Sequence, residues 1–148
     1  MKRVLMLLAN GVEPLEMAAF TDVLGWADLL GDHPIELINA GLRSNIVTTF
    51  GLSLNPSFLL QDLDISRFDA LALPGGFEPA GFYDEALSEP FLAAIRQFVE
   101  AGKNRGQRLR FLRVPGGSWR AARQACDDLS PGGREKETAT GRNRRPFC

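Results

Sequence analysis

The chain has one acid at a position where it could act on a bound substrate. Glu16 lies just after an apolar run at residues 4–8, at the start of a segment with helical spacing. The partial positive charge at a helix N-terminus favours a carboxylate there, and such an acid can hold or transfer a proton. An acid in a first turn is also an ordinary helix feature, and the residue pattern alone favours that ordinary role.

The second candidate is the pair Gly75-Gly76, which follows Pro74 and an apolar strand segment at residues 70–73. Two glycines let the backbone approach a ligand closely, and their N–H groups can stabilise developing negative charge. An ordinary tight turn explains the same residues equally well. A second Pro-Gly-Gly at residues 115–117 shows that this tripeptide is not specific by itself.

The histidine and the cysteines add little to these two candidates. His33 is the single histidine and lies in a loop before a strand, with no nucleophile near it in the sequence. Cys126 follows Arg123 closely enough for partial ionisation, but no base or strained turn surrounds it. Cys126 and Cys148 lack metal-ligand spacing, and a cytosolic compartment argues against a disulfide. We therefore predict neither a metal nor a cofactor.

Alternating strands and helices must position the candidate groups. The run at residues 4–8 is typical of a strand buried on both faces of a parallel sheet. A helix is predicted from Glu13 or Pro14 to about Leu30, with Gly31 as its C-terminal cap. Its predicted core-facing stripe, beside which Trp26 is expected to pack, consists of Phe20, Val23, Ala27 and Leu30.

The next elements continue the alternation. Residues 35–40 and 70–73 read as strands, and residues 46–54 as a short hairpin or an edge segment. A further helix is predicted after Ser88, ending at Gly102. Such an order indicates an α/β fold with a mostly parallel sheet. Ligands bind such folds at the carboxyl ends of the strands, which selects the loops at residues 10–16 and 74–81.

The composition is typical of a globular protein, and the balance of charged residues differs between two parts of the chain. No apolar stretch reaches membrane-spanning length, and the first one is too short for a signal peptide, so we expect a cytoplasmic protein. Residues 1–102 hold 5 Lys and Arg against 14 Asp and Glu, whereas residues 103–148 hold 12 against 4. Arginines interrupt the segment where the next central strand is expected, and Trp119 has no readable context. From Ser130 onward no apolar period is visible, and we expect disorder.

Taken together, residues 1–103 resemble the ThiJ/PfpI superfamily, of which the parkinsonism-associated deglycase is a member. The resemblance is carried by the strand at residues 4–8, the segment Gly11-Val12-Glu13-Pro14-Leu15-Glu16, the pair Ala40-Gly41, the segment Phe68-Asp69-Ala70-Leu71-Ala72-Leu73-Pro74-Gly75-Gly76 and the helix ending at Lys103. It implies a flavodoxin-like three-layer sandwich, truncated after about residue 103. The combination of motifs is specific, although no single one is.

The resemblance also assigns roles. Glu16 would be the acid beside a nucleophilic cysteine, and Gly76, next to Gly75, would donate a backbone N–H to the oxyanion. The substrates implied are small aldehydes, glycated thiols or amines, or amides, with no cofactor. Family members are often homodimers. The sequence departs from the family where the cysteine is expected, because Leu109 or Arg110 stands there and no histidine follows.

A change of reading frame accounts for this departure. If the reading frame is shifted forward by one base after Lys103, permitted codons give a strand that ends in a cysteine at the place of Leu109. The same shift gives an Ala-Thr-Thr segment with its histidine at residues 124–135. Codon degeneracy makes this a permitted reading and not a unique one. Two motifs in the correct order favour it over a genuine basic extension.

Three functions follow as hypotheses. The first is a cysteine-dependent glyoxalase, deglycase, amidase or protease-like enzyme, hydrolase-like in its chemistry, that is inactive as written. The alternative is a non-catalytic, stress-related binding or chaperone-like protein. The third is a nucleic-acid binder with a basic tail, which we disfavour because the arginines form no helical face and are not interleaved with aromatic residues. No membrane partner is expected.

Overall fold

A computed structural model describes residues 1–104 and 111–112. Its strands and helices run in the order β1 Lys2–Leu8, α1 Pro14–Leu30, β2 Ile35–Gly41, β3 Ile46–Val47, β4 Ser53–Leu54, β5 Phe58–Leu59, β6 Ala70–Ala72, α2 Phe82–Ala86, α3 Glu89–Asn104 and β7 Phe111–Leu112. Short 3₁₀ turns cover Leu60–Asp62, Ile65–Arg67 and Glu78–Ala80. The predicted strand and helix order is confirmed across these residues.

The main sheet has five strands in the order β5-β2-β1-β6-β7, and every pair within it is parallel. β1 is central and buried from Val4 to Leu8, because it has neighbours on both edges and both faces. The short β3 and β4 form a separate antiparallel hairpin, as predicted for residues 46–54.

Two long helices complete the layers. β2 and β7 lie on opposite sides of the β1–β6 pair. Right-handed crossovers through α1 and α3 therefore place these helices on opposite faces of the sheet. This is the α/β three-layer architecture that the sequence predicted. Within the described residues, no helix is long and apolar enough to cross a membrane.

The predicted stripe of α1 is wrong in two of its four positions. Phe20 is buried and Ala27 is half-buried, but Val23 is 65% exposed and Leu30 is 76% exposed. Trp26, expected to pack beside the stripe, is 55% exposed and donates its indole N–H to Asp22 Oδ1 at 3.2 Å. The helix is apolar around most of its circumference, so spacing alone did not identify the face that contacts the sheet.

The end of α3 and a short strand that follows it also differ from prediction. α3 continues past Gly102 to Asn104, so this glycine does not end the helix. Phe111–Leu112 forms a two-residue strand that pairs with β6, within the arginine-rich segment where no strand pattern was recognised. The predicted disorder after Ser130, and the placement of Trp119, Cys126 and Cys148, lie outside the described residues.

Candidate active site

The site is built where three loops meet at the carboxyl ends of β1 and β6. The loop after β1 and the turn after β6 form an antiparallel bridge between Val12 and Gly76. Glu13 N–H donates to Gly75 O at 2.8 Å, and Phe77 N–H donates to Gly11 O at 3.2 Å. These two backbone bonds fix the Gly75-Gly76 turn against the start of α1.

Glu16 reaches the turn directly. Its Oε2 accepts a hydrogen bond from Gly75 N–H at 2.7 Å. The acid lies in the first turn of α1, half-buried, where unpaired helix N–H groups favour a negative charge. The sequence predicted that Glu16 and the glycine pair would face one crevice, and the structure brings them into contact.

The two glycine amides are used differently. Gly75 N–H is occupied by Glu16, whereas no described residue accepts a hydrogen bond from Gly76 N–H. In the bridge with Val12, the bonded amides belong to the flanking Glu13 and Phe77. Of the two glycines, only Gly76 has a backbone N–H without an acceptor among the described residues, and an amide of this kind can stabilise a developing oxyanion.

Close packing explains the glycine at position 76. A Cβ there would lie 2.1 Å from a ring carbon of Phe82 and 2.4 Å from Gly11 O. Gly11 is confined in turn, with φ of 75° and with Ala80 O only 2.7 Å from a Cβ built on it. Both glycines could be recognised in the sequence, but Phe82 could not, because a short helix gives no periodic signal.

The third loop comes from the β3–β4 hairpin. Val47 O accepts from Gly11 N–H at 2.7 Å, and Thr49 Oγ1 donates to Gly11 O at 2.8 Å. Thr49 N–H also donates to Val12 O at 3.0 Å. The hairpin thus supports the loop that carries Gly11, a role with no signal in the sequence.

The other candidates do not join this site. His33 lies in the loop between α1 and β2, as predicted, and is exposed. Leu109, Arg110, Cys126 and Cys148 lie outside the described residues. Within the described residues, no group of three or more His, Cys, Asp or Glu side chains could hold a metal ion.

The family assignment follows from the sequence itself. The profile of the DJ-1/PfpI family matches residues 2–106. The chain belongs to this family. The match includes Glu16, Gly75 and Gly76, and it confirms the ThiJ/PfpI resemblance of the N-terminal part. No curated protein matches the chain.

Solved structures agree with the family's fold. The chain is similar to the VC2308 protein, with 27% identity and a TM-score of 0.54 over 74% of this chain and 51% of that one. It is also similar to Drosophila melanogaster DJ-1beta, with 24% identity and a TM-score of 0.56 over 74% and 54%.

Oxidized Toxoplasma gondii DJ-1 gives 18% identity and a TM-score of 0.57 over 75% of this chain and 55% of that one. The chain spans about half the length of these three solved structures.

Proposed function

We propose that this chain carries the acid and the oxyanion donor of a cysteine-dependent DJ-1/PfpI site and is inactive as written because it lacks the nucleophile. The proposal rests on the observation that the two glycine amides differ in their hydrogen bonds. Gly75 N–H donates to the Glu16 carboxylate and orients it, whereas Gly76 N–H has no acceptor among the described residues. An acid beside an amide that has no acceptor among the described residues fits addition of a thiolate to a carbonyl carbon.

The proposal assigns a role to each of these groups. A thiolate would attack the carbonyl of a small aldehyde, glycated thiol or amine, or amide. Gly76 N–H would stabilise the resulting oxyanion, and Glu16 would hold the proton that the reaction transfers. Leu109 stands where the resemblance places the nucleophile, and a leucine side chain cannot ionise or attack. Residues 104–148 are proposed to be the product of a changed reading frame.

The test compares three chains in a thiol-dependent assay with methylglyoxal. The chain as written should show no turnover. The chain read one base forward after Lys103, which places a cysteine at position 109, should be active. Glu16→Gln in that restored chain should lower kcat by about 10²–10⁴-fold. The matched control is Glu100→Gln, an exposed acid on α3, which should leave kcat unchanged.

Two outcomes would overturn the proposal. One is turnover by the chain as written that Cys126→Ser abolishes, because the nucleophile would then lie elsewhere. The other is a restored chain that is folded yet inert on aldehydes, amides and glycated thiols alike.

The outer face of α1 favours a second candidate function, a non-catalytic binding protein. Five large apolar side chains there are 55–77% exposed: Leu15, Val23, Trp26, Leu29 and Leu30. Contiguous exposed apolar surface of this kind marks interaction sites. We propose unfolding polypeptides as the occupant under this alternative.

The chain should then suppress light scattering by a heat-unfolded enzyme, and the Trp26→Glu variant should do so less well. Failure of the intact chain to suppress scattering would exclude this alternative. Sedimentation that shows a dimer lost in Trp26→Glu would instead identify the face as an interface between copies.

A further inference from the structure

A buried carboxylate lies beside the site just described. Glu85 in α2 is 5% exposed, and neither of its oxygens accepts a hydrogen bond from the described residues. Its charged partner among those residues is Arg43, with Nε 3.1 Å from Oε2 but not directed well enough for a hydrogen bond. The Arg43 side chain is 70% exposed. Burying a carboxylate with one poorly directed ion pair and no hydrogen bond is unfavourable, so the position of Glu85 lowers the stability of the fold.

Helix α2 forms one wall of the Gly76 position. Phe82 and Glu85 are three residues apart, so they occupy the same side of this short helix, and both are buried. The Phe82 ring fills the space where a side chain at position 76 would stand. A shift of α2 would therefore release Gly76 on that side.

The Gly11 carbonyl also borders the Gly76 position, and the segment following Arg43 bonds to the Gly11 backbone. Val47 and Thr49 bond to the Gly11 backbone at 2.7 and 2.8 Å. Arg43 belongs to the same segment, between β2 and β3. Its contact with Glu85 thus connects two elements that adjoin the Gly76 position, α2 through Phe82 and the 43–49 segment through Gly11.

We propose that Arg43 and Glu85 are a positioning pair for the oxyanion amide. The pair keeps α2 and the 43–49 segment together, so that Gly76 N–H remains available and Gly75 N–H stays on the Glu16 carboxylate. Its catalytic meaning rests on the proposed function, whereas its geometric effect can be measured without turnover.

Amide hydrogen exchange on the chain as written tests the geometric effect. In Glu85→Gln and in Arg43→Met, the amides of Gly75 and Glu13 should exchange about tenfold faster, because local opening of the turn becomes easier. The amide of Leu5 in the central strand should keep its rate. Arg43→Lys, which retains the charge, should restore slow exchange at Gly75.

The matched control is another ion pair, Arg3 Nε with Glu36 Oε2 at 2.7 Å, which joins β1 to β2 away from the turn. Glu36→Gln should leave exchange at Gly75 unchanged. If Glu85→Gln accelerates Leu5 and Gly75 by the same factor, the pair merely stabilises the whole fold and the proposal is overturned. Exchange in Arg43→Lys that is as fast as in Arg43→Met would overturn it as well.

Turnover in the restored chain separates this inference from the proposed function. Glu85→Gln there should lower kcat with little change in KM, since the substrate's contacts are untouched and the oxyanion donor is displaced. Unchanged kcat despite faster exchange at Gly75 would contradict a positioning role. If the restored chain is inert before any substitution, the proposed function fails, and the exchange rates still decide the geometric claim.

Discussion

Helices α1 and α3 lie on opposite faces of one sheet, and they differ in how apolar residues are distributed around the helix. α3 is amphipathic: Phe91, Ile95 and Val99 are buried, whereas Glu89 and Glu100 are exposed. Its period of three to four residues therefore identifies its buried face.

α1 has apolar residues around most of its circumference, and only Phe20 on it is fully buried. Large side chains on its outer face remain in solvent, Leu15 at 77% and Leu29 at 72% exposed among them. The difference between the helices shows that an apolar period locates a buried face only where polar residues define the opposite one.

Truncating a buried aliphatic side chain in α3 should change the free energy of unfolding far more than truncating an exposed one in α1. Ile95→Ala in α3 removes a side chain that is 3% exposed and should lower the free energy of unfolding by about 2–5 kcal/mol. Leu29→Ala on the outer face of α1 should change it by no more than about 0.5 kcal/mol. Urea unfolding midpoints measure both. Equal losses would show that the outer face of α1 is covered in solution.

Two glycine-to-alanine substitutions, one at the turn beside Glu16 and one in α1, should change stability in opposite directions. Gly76→Ala forces a methyl group into the Phe82 ring and the Gly11 carbonyl and should cost about 1–3 kcal/mol. Gly25→Ala in α1 meets nothing within 4 Å and should stabilise by about 0.5–1 kcal/mol, because alanine is the better helix former. A tolerated alanine at position 76 would contradict the packing described for the oxyanion turn.

The apolar face of α1 should also bind a hydrophobic dye. Trp26 lies in the middle of that face, and Trp26→Glu should reduce dye fluorescence roughly twofold by interrupting the patch. The control is Glu100→Gln on α3, which leaves the patch intact. Fluorescence that does not change in Trp26→Glu would place the dye site elsewhere.

The smallest effect concerns the 3₁₀ turn at residues 65–67, whose Ile65 is buried. The Ser66 hydroxyl donates to Asp64 Oδ1 at 2.6 Å and the Ser66 backbone N–H at 3.1 Å. These bonds, with a smaller contribution from the Arg67 charge, lower the pKa of Asp64 below its usual 3.8.

A lowered folded-state pKa means that the ionised Asp64 stabilises the fold above about pH 3.8 and that this contribution is lost as the pH falls through the folded pKa. Asp64→Ala should therefore be slightly less stable than the unsubstituted chain at neutral pH, and the difference should shrink in acid. Urea midpoints across this range measure it. A difference that grows in acid would contradict the assigned hydrogen bonds.

Much of the fold was predictable because β1 and β6 are continuous apolar runs followed by polar turns. The contact between Glu16 and the glycine turn was predictable for a related reason: the carboxyl ends of parallel strands meet at one edge. Which glycine amide lacks an acceptor among the residues that the structure describes was not predictable, because it depends on a single hydrogen bond to Gly75.

The contact between Arg43 and Glu85 also had no signal in the sequence. The two residues are far apart along the chain, and α2, at five residues, is too short for a period that would show Glu85 to be buried. The arginines of residues 105–113 likewise obscured the two-residue strand β7, whose pairing with β6 is set by the sheet and not by local composition.

We propose that a DJ-1/PfpI domain has lost its nucleophile through a change of reading frame. Sequencing the coding DNA from the Lys103 codon to the end tests it most directly. We predict that reading one base forward after this codon gives a cysteine at the place of Leu109, followed by an Ala-Thr-Thr segment with a histidine. A stop codon, or a shifted frame without that cysteine, would contradict a change of reading frame and leave residues 103–148 as a genuine extension.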